Sequence, residues 1–210
     1  MMKFFYSPGA CSLASHIILE ELQIAYEGVA IDLRSGQNKS AEFLAVNPNG
    51  VVPALILNDG SVLTENIAIL LYLAEQKPEA GLIPAAGTLA RARCYEWLSF
   101  INSDLHKAFG PLFKPERFAI GEQAKQEVIE QARKRVIEII NLAEAKLAGK
   151  AFALGEKFSI CDPYLWVIFQ WAKHLKFDTS LWPNYSQLAK RLAARPAVQS
   201  ALHSEGLLSK

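Results

Sequence analysis

The periodicity of this chain changes once, near residue 80, and does not change back. Before that point short apolar runs of strand length alternate with longer runs at helical spacing; after it no strand pattern appears. Alternating strands and helices read as an α/β unit, and a strand-free stretch of this length reads as an all-α unit. Between them Lys77 to Thr88 holds Pro78, Gly81, Pro84 and Gly87, breakers of the kind that separate domains. The expected organisation is an α/β domain over residues 1–80 followed by an all-helical domain over residues 89–210.

Within the first part, Lys3 to Tyr6 reads as a strand. Ser12 to Leu22 reads as a helix, because Leu13 with Ile17 and Ile18 with Leu22 pair at i,i+4 to make a broad apolar face. Val29, Ile31 and Leu33 alternate with Ala30 and Asp32 as a second strand, and the helical connection makes it parallel to the first. Ala54 to Leu57 and Val62 to Thr64 flank Asn58-Asp59-Gly60-Ser61, whose Asp-Gly supplies the positive φ angles of a tight hairpin. Those strands should run antiparallel. Asn66 to Glu75 closes the unit as a helix. In the second part Leu89 to Phe109 reads as one long helix, and Glu122 to Leu147 as another, with Ile129, Ala132, Val136, Ile140, Ala143 and Leu147 on one face. Ser159-Ile160-Cys161-Asp162 has the form of a capping box, in which hydroxyl and carboxylate satisfy each other's backbone donors before an apolar helix through Leu165, Ile168, Trp171 and Ala172.

Composition sets the exclusions. Lys+Arg 22 against Asp+Glu 21 leaves a formal net charge of +1, so no global basic field exists to hold nucleic acid or an anionic membrane. The one basic triplet, Arg133-Lys134-Arg135, stands among Glu127, Glu130 and Glu138 and reads as a solvated helix face. The longest apolar run, Ile67 to Ala74, falls far short of the roughly 20 residues that span a bilayer. Cys11, Cys94 and Cys161 are odd in number and widely separated, with no CxxC pair and no Cys/His cluster. That argues for a reducing, cytoplasmic setting and against a metal site. His16, His174 and His203 have no polar company in the sequence and read as surface or core residues.

Three short segments carry chemistry. Cys11 follows a short apolar run and sits where the first helix begins; unpaired N–H groups and aligned peptide dipoles favour negative charge there, so the sulfur is expected as a reactive thiolate, the other reading being a small buried hydrophobe. Pro53 opens a strand without a backbone donor, which leaves the preceding Val52 free to pair with an extended peptide. Thr64-Glu65-Asn66 ends a strand at a helix start, where backbone N–H groups can bind a carboxylate while Glu65 holds a neighbouring ammonium; ordinary helix capping is the alternative. Together these would recognise an amino-acid head group.

Tyr6-Ser7-Pro8-Gly9-Ala10-Cys11-Ser12-Leu13-Ala14, Asn47-Pro48-Asn49-Gly50-Val51-Val52-Pro53-Ala54-Leu55, Leu63-Thr64-Glu65-Asn66-Ile67-Ala68-Ile69, and Glu96-Trp97-Leu98 with Leu105-His106-Lys107 closely resemble bacterial beta-class glutathione transferases. The likeness runs nearly end to end and includes the capping box and Arg195-Pro196-Ala197-Val198. It implies a thioredoxin-like N-terminal domain, an all-helical C-terminal domain, and a homodimer with a glutathione site in each subunit. By that resemblance Cys11 and His106 lie at the glutathione sulfur as catalytic residues. Val52 and Pro53, the latter after a cis bond, match the cysteinyl site; Glu65 and Asn66 match the γ-glutamyl site; Ser99, Ser103, Asp104 and Lys107 accompany His106, some of them serving the neighbouring subunit. His106 also stands out without the resemblance, as one of a polar group on an otherwise apolar helix. Ser99 stands where close relatives commonly carry Asn, Pro163 where they place Ala, and the length of Arg34 to Ser40 leaves open whether Arg34, Lys39 or neither meets the glycyl carboxylate.

The activity implied is conjugation of glutathione, as co-substrate, to an electrophilic hydrophobic compound, or exchange with a disulfide substrate through Cys11. The competing reading is a non-catalytic binding or interaction module on the same fold; a glutathione-dependent isomerase or dehalogenase is a third. The second-substrate pocket is expected between the domains, lined from Leu98 to Phe113 and by Trp166.

Overall fold

The computed structural model describes residues 1–208. Its first strand, β1 (Met2–Tyr6), turns Met2, Phe4 and Tyr6 inward at the period of two that a strand imposes. Helix α1 (Ser12–Glu21) carries the chain back so that β2 (Tyr26–Ala30) lies parallel to β1, with Met2 opposite Tyr26 and Tyr6 opposite Ala30. The hairpin forms as β3 (Ala54–Ile56) and β4 (Val62–Thr64), and β3 pairs antiparallel with both β1 and β4. The sheet order is β2-β1-β3-β4.

The second strand lies earlier than its alternation implies. Ile31 adds one further bond, from its N–H to the Tyr6 carbonyl at 2.7 Å, but Leu33 lies beyond the ladder. Both pack into a small separate cluster around Phe43 and Val52. Phe43 comes from a short helix, α2 (Ala41–Val46), which the sequence pattern did not reveal; Ser40 caps it by accepting from the Phe43 N–H at 3.2 Å. Apolar alternation here records burial against α2 and not strand pairing. Helix α3 (Asn66–Gln76) completes the sheet layer.

The helical part comprises α4 (Leu89–Phe100), α5 (Lys107–Phe113), α6 (Glu122–Leu147), α7 (Cys161–His174), α8 (Pro183–Ala193) and α9 (Pro196–Ser204). The long helix expected over Leu89 to Phe109 is not uniform: Ile101–His106 winds as a π-helical turn between α4 and α5. Apolar spacing cannot distinguish that turn from regular helix, yet such wider turns tend to occur at functional sites. The capping box forms by half. The Asp162 carboxylate accepts from the Ser159 N–H at 2.7 Å and the Ala153 N–H at 2.7 Å, but the Ser159 hydroxyl turns to that carboxylate, at 2.8 Å, instead of to the Asp162 N–H. Asp162 is fully buried, and desolvation raises its pKa to about 6 against the pull of those bonds.

Helix α1 explains why the two parts form one body. Every residue from Ser12 to Leu19 is buried, because α3 and the sheet cover one side while α7 and α9 cover the other. One apolar core runs from Phe4 through Ile17 and Trp97 to Ala201. Among the described residues no helix is long and apolar enough to cross a membrane, and no group of three or more His, Cys, Asp or Glu is placed to hold a metal ion.

Candidate active site

The turn before α1 positions the first functional atom. Gly9 takes φ +72°, a conformation open to glycine without strain, and Ala10 N–H closes the turn on the Ser7 carbonyl at 3.0 Å. Cys11 then stands at the N-cap of α1, with its Sγ 3.6 Å from the Val52 carbonyl. The expected thiolate is not what this environment favours. Burial pushes the Cys11 thiol up to about 12; the N–H groups of Ser12 and of Cys11 itself pull the other way, and the charge of Glu65 adds to the rise. Desolvation outweighs the helix terminus. The sulfur is therefore a thiol that donates to Val52.

Val52 is buried, and its bond to Pro53 is cis. Its carbonyl receives the Cys11 thiol, while its N–H makes no hydrogen bond among the described residues. Behind it, Glu65 holds φ +69°, a region rarely taken by residues with a side chain, and caps α3 with its carboxylate in solvent. Asn66 is 5% exposed. Its Oδ1 accepts from the Ser15 hydroxyl at 2.6 Å, whereas its Nδ2 has no hydrogen-bond partner among the described residues. A buried donor left without an acceptor costs about 1–3 kcal/mol, so this one calls for a partner.

His106 ends the π-helical turn. Its Nδ1 lies 2.7 Å from the Tyr164 hydroxyl, and that hydroxyl donates to Asn102 Oδ1 at 3.0 Å. A tyrosine has a single hydroxyl proton, so with that proton on Asn102 the imidazole must supply the other, and Nδ1 is the protonated nitrogen. Nε2 is left with a free lone pair. Burial, helped by the Lys107 charge, lowers the His106 pKa to about 4, so the ring is neutral at pH 7. The wide turn lets Asn102 and His106 meet on one hydroxyl. The His106 ring also packs edge-on against Trp171 at 4.9 Å, and the Trp171 indole N–H donates to the Gly9 carbonyl at 2.8 Å, which ties the His106 helix to the Cys11 turn. The Tyr164 hydroxyl is raised above its ordinary pKa by burial and then by the nearby Cys11 and Glu65 charges. Tyr164 thus links the histidine to the two segments of the first part.

The remaining candidates stand apart from this wall. Ser99, Ser103 and Lys107 are solvent-exposed, and the Ser103 hydroxyl lies 2.7 Å from the Ser99 carbonyl and 2.9 Å from Asp104 Oδ2. Lys107 instead borders an open groove of about 1050 Å³ with Pro111, Phe118, Ile120 and Val128, on the α5–α6 side. Trp166 does not face the expected pocket between the domains: it is buried, and its indole N–H donates to the Ala189 carbonyl of α8 at 3.1 Å. The aromatic surface beside the Cys11 turn is supplied by Trp171 with Phe113, whose rings are 5.2 Å apart.

His16 is a core residue, as its sequence reading allowed, but it does not lack polar partners. It is fully buried with polar company: Nδ1 is 2.7 Å from Glu205 Oε1 and Nε2 is 2.5 Å from the Tyr26 hydroxyl. The other Glu205 oxygen accepts from the Gly9 N–H at 2.8 Å. Asn102, Tyr164, Trp171, Ser15 and Glu205 were not found from the sequence. Each acts across a distance in the chain that no local pattern records.

Family comparisons agree with this geometry. Residues 1–75 match the model for the glutathione S-transferase N-terminal domain, and residues 100–196 match that for the C-terminal domain. The chain is 40% identical over 207 residues to glutathione S-transferase GstA of Escherichia coli O157:H7, covering 98% of this chain and all of that one. Its fold is similar to a glutathione transferase crystal structure from Methylococcus capsulatus, with TM-score 0.88 and 42% identity over 99% of this chain and 100% of that one. It is also similar to a sphingomonad glutathione S-transferase complexed with glutathione, with TM-score 0.87 and 42% identity over 98% and 100% of the two chains. With both family domains matched in order and likeness running over nearly its whole length, the chain belongs to the glutathione S-transferase family.

Proposed function

We propose that the protein conjugates glutathione to an electrophilic hydrophobic compound, with the tripeptide extended along Val52 and its sulfur between Cys11 and His106. The observation that carries this reading is the pair of unanswered donors at one place, the Val52 N–H and the buried Asn66 Nδ2, beside a helix start held open by the strained Glu65 backbone. The γ-glutamyl carboxylate meets the N-terminus of α3 and Asn66, its ammonium meets Glu65, and the cysteinyl unit pairs with Val52 next to Pro53. Lys39 is better placed than Arg34 for the glycyl carboxylate, since its Nζ already lies 3.2 Å from the Asn49 carbonyl at the turn leading to Val52.

The neutral His106, with Nε2 free, accepts the proton or hydrogen bond of the bound thiol, and the resulting nucleophile is oriented toward an electrophile resting on Trp171 and Phe113. Binding also bears on Cys11. The cysteinyl N–H of the tripeptide competes for the Val52 carbonyl that now receives the Cys11 thiol, which frees that thiol for exchange with disulfide substrates. Ser99, Ser103, Asp104 and Lys107 serve the site from outside it, as part of a homodimer. The exposed Val62 on the edge strand β4 and Tyr95 on the outer side of α4 support such an association. Domains divided at 1–80 and 89–210 and a cytoplasmic setting, where reduced glutathione is available, belong to the same reading.

Calorimetry with glutathione, together with turnover of an activated aryl halide, tests it. The wild-type protein should bind and turn over, His106→Ala should bind but lose most of its turnover, and Cys11→Ala should lose disulfide exchange while keeping conjugation. Absence of both heat and turnover in the wild type refutes the proposal.

A further inference from the structure

Two cysteines meet in the core, outside the site described above. Cys94 on α4 and Cys161, the first residue of α7, place their sulfurs 3.6 Å apart, and the Cys161 thiol also lies 3.6 Å from the Cys94 carbonyl. Both are 0% exposed, and both are free thiols. A disulfide needs its sulfurs at about 2.05 Å, so the two must approach by roughly 1.5 Å to close the pair. We propose that Cys94 and Cys161 form a second redox site, a buried dithiol that a hydroperoxide converts into an intramolecular disulfide joining α4 to α7.

The two sulfurs are not equivalent. The buried Arg91, one turn before Cys94 and held by Glu75 and the Pro84 carbonyl, adds positive charge beside Cys94 and favours its thiolate, while burial and the neighbouring Asp162 keep Cys161, whose thiol donates to the Cys94 carbonyl, protonated. Cys94 is thus the attacking sulfur. Its thiolate displaces one peroxide oxygen: the S–O bond forms, the O–O bond breaks, and the alkoxide or hydroxide that leaves takes up the proton Cys94 released on ionising, to become alcohol or water. The Cys161 sulfur then attacks the Cys94 sulfenic acid, the S–S bond forms, the S–O bond breaks, and the departing oxygen takes the Cys161 proton to leave as water. Two thiols and one hydroperoxide give a disulfide, an alcohol and a water. Complete burial selects this oxidant class, because a glutathione disulfide would have to enter the core to align three sulfurs, whereas hydrogen peroxide is close to water in size.

The cross-link bears on the site described above. Cys161 lies one turn before Tyr164, and α4 continues into the π-helical turn that carries Asn102 and His106. Oxidation pins the two elements whose contact fixes the His106 ring.

The test uses the full chain carrying Cys11→Ser, so that the third thiol takes no part, with the wild type in parallel. After a hydrogen peroxide pulse, the protein is denatured, alkylated and analysed by mass. The expected product is two hydrogens lighter, takes no label at Cys94 or Cys161, and yields a Cys94–Cys161 linked peptide that a reducing agent separates. In Cys161→Ser the reaction should stop at a Cys94 sulfenic acid that a 1,3-dione traps. Full alkylation of both residues after the pulse, or oxygen adducts without the linked peptide in the wild type, overturns the proposal even if that variant does not fold.

Discussion

Alkylation of Cys11 in the ligand-free protein should be slow and should keep accelerating well into alkaline pH. The attacking species is the thiolate, and burial holds the Cys11 thiol up to about 12 against an ordinary value of 9.0. That gap corresponds to a thiolate population about a thousandfold smaller than an unperturbed thiol has at neutral pH. The rate with iodoacetamide, followed by peptide mapping of residue 11, should therefore fall about a thousandfold below that of a model thiol at pH 7.5, and should rise about tenfold per pH unit through pH 10 without a plateau. A second perturbation checks the cause. Glu65 contributes charge that raises this thiol, so Glu65→Gln should speed alkylation at a fixed pH. A plateau below pH 9, or a slower reaction in Glu65→Gln, would show that the helix terminus and not burial governs the sulfur, and the geometry drawn for the free site would be wrong.

Tyr164→Phe removes the hydroxyl shared by His106 and Asn102 and leaves the imidazole free to change tautomer; kcat/KM for conjugation should fall about 5- to 30-fold, equivalent to one or two kcal/mol, with glutathione affinity retained. An unchanged kcat/KM with reduced stability would reduce Tyr164 to a packing role. His106 has its folded pKa lowered to about 4, so between that value and 6.5 the unfolded chain binds the proton and the folded one does not. Its contribution is intact above pH 6.5 and is lost as the pH falls toward 4, reaching about 2 kcal/mol at pH 5. Asp162, raised to about 6, gains a proton over the same range and offsets part of the loss in both proteins, so the stability difference between wild type and His106→Gln should shift by that amount between pH 7 and 5, as urea midpoints will show. Gly50→Ala sets a side chain at φ +62° with its Cβ 2.8 Å from the Asn38 carbonyl; thermal unfolding should reveal destabilisation of about 1–3 kcal/mol.

What could be read in advance and what could not divides on physical grounds. β1, α1, the β3–β4 hairpin and α6 carry strong local periodicity or a defined turn, and their limits in the structure fall within a residue or two of the expected ones. The motif residues Cys11, Val52, Pro53, Glu65 and Asn66 are specified by local backbone features, a helix start, a proline and a strand end, and the fold brings them to one end of the sheet. Tyr164 lies 58 residues from His106, so nothing near either residue signals their bond. The Cys11 thiol depends on a contest between burial and helix polarity whose winner is fixed by packing. The π-helical turn leaves the apolar pattern almost unaltered, and α2 is a single capped turn and a half that burial of Phe43 sustains.

The clasp of Glu205 on the Gly9 N–H has a consequence for synthesis. Synthesis runs from Gly9 toward Glu205, 196 residues later, so the turn before Cys11 stays unlatched until α9 has been made. A chain that stops short of α9 would carry a complete sheet and an unlatched turn at Cys11.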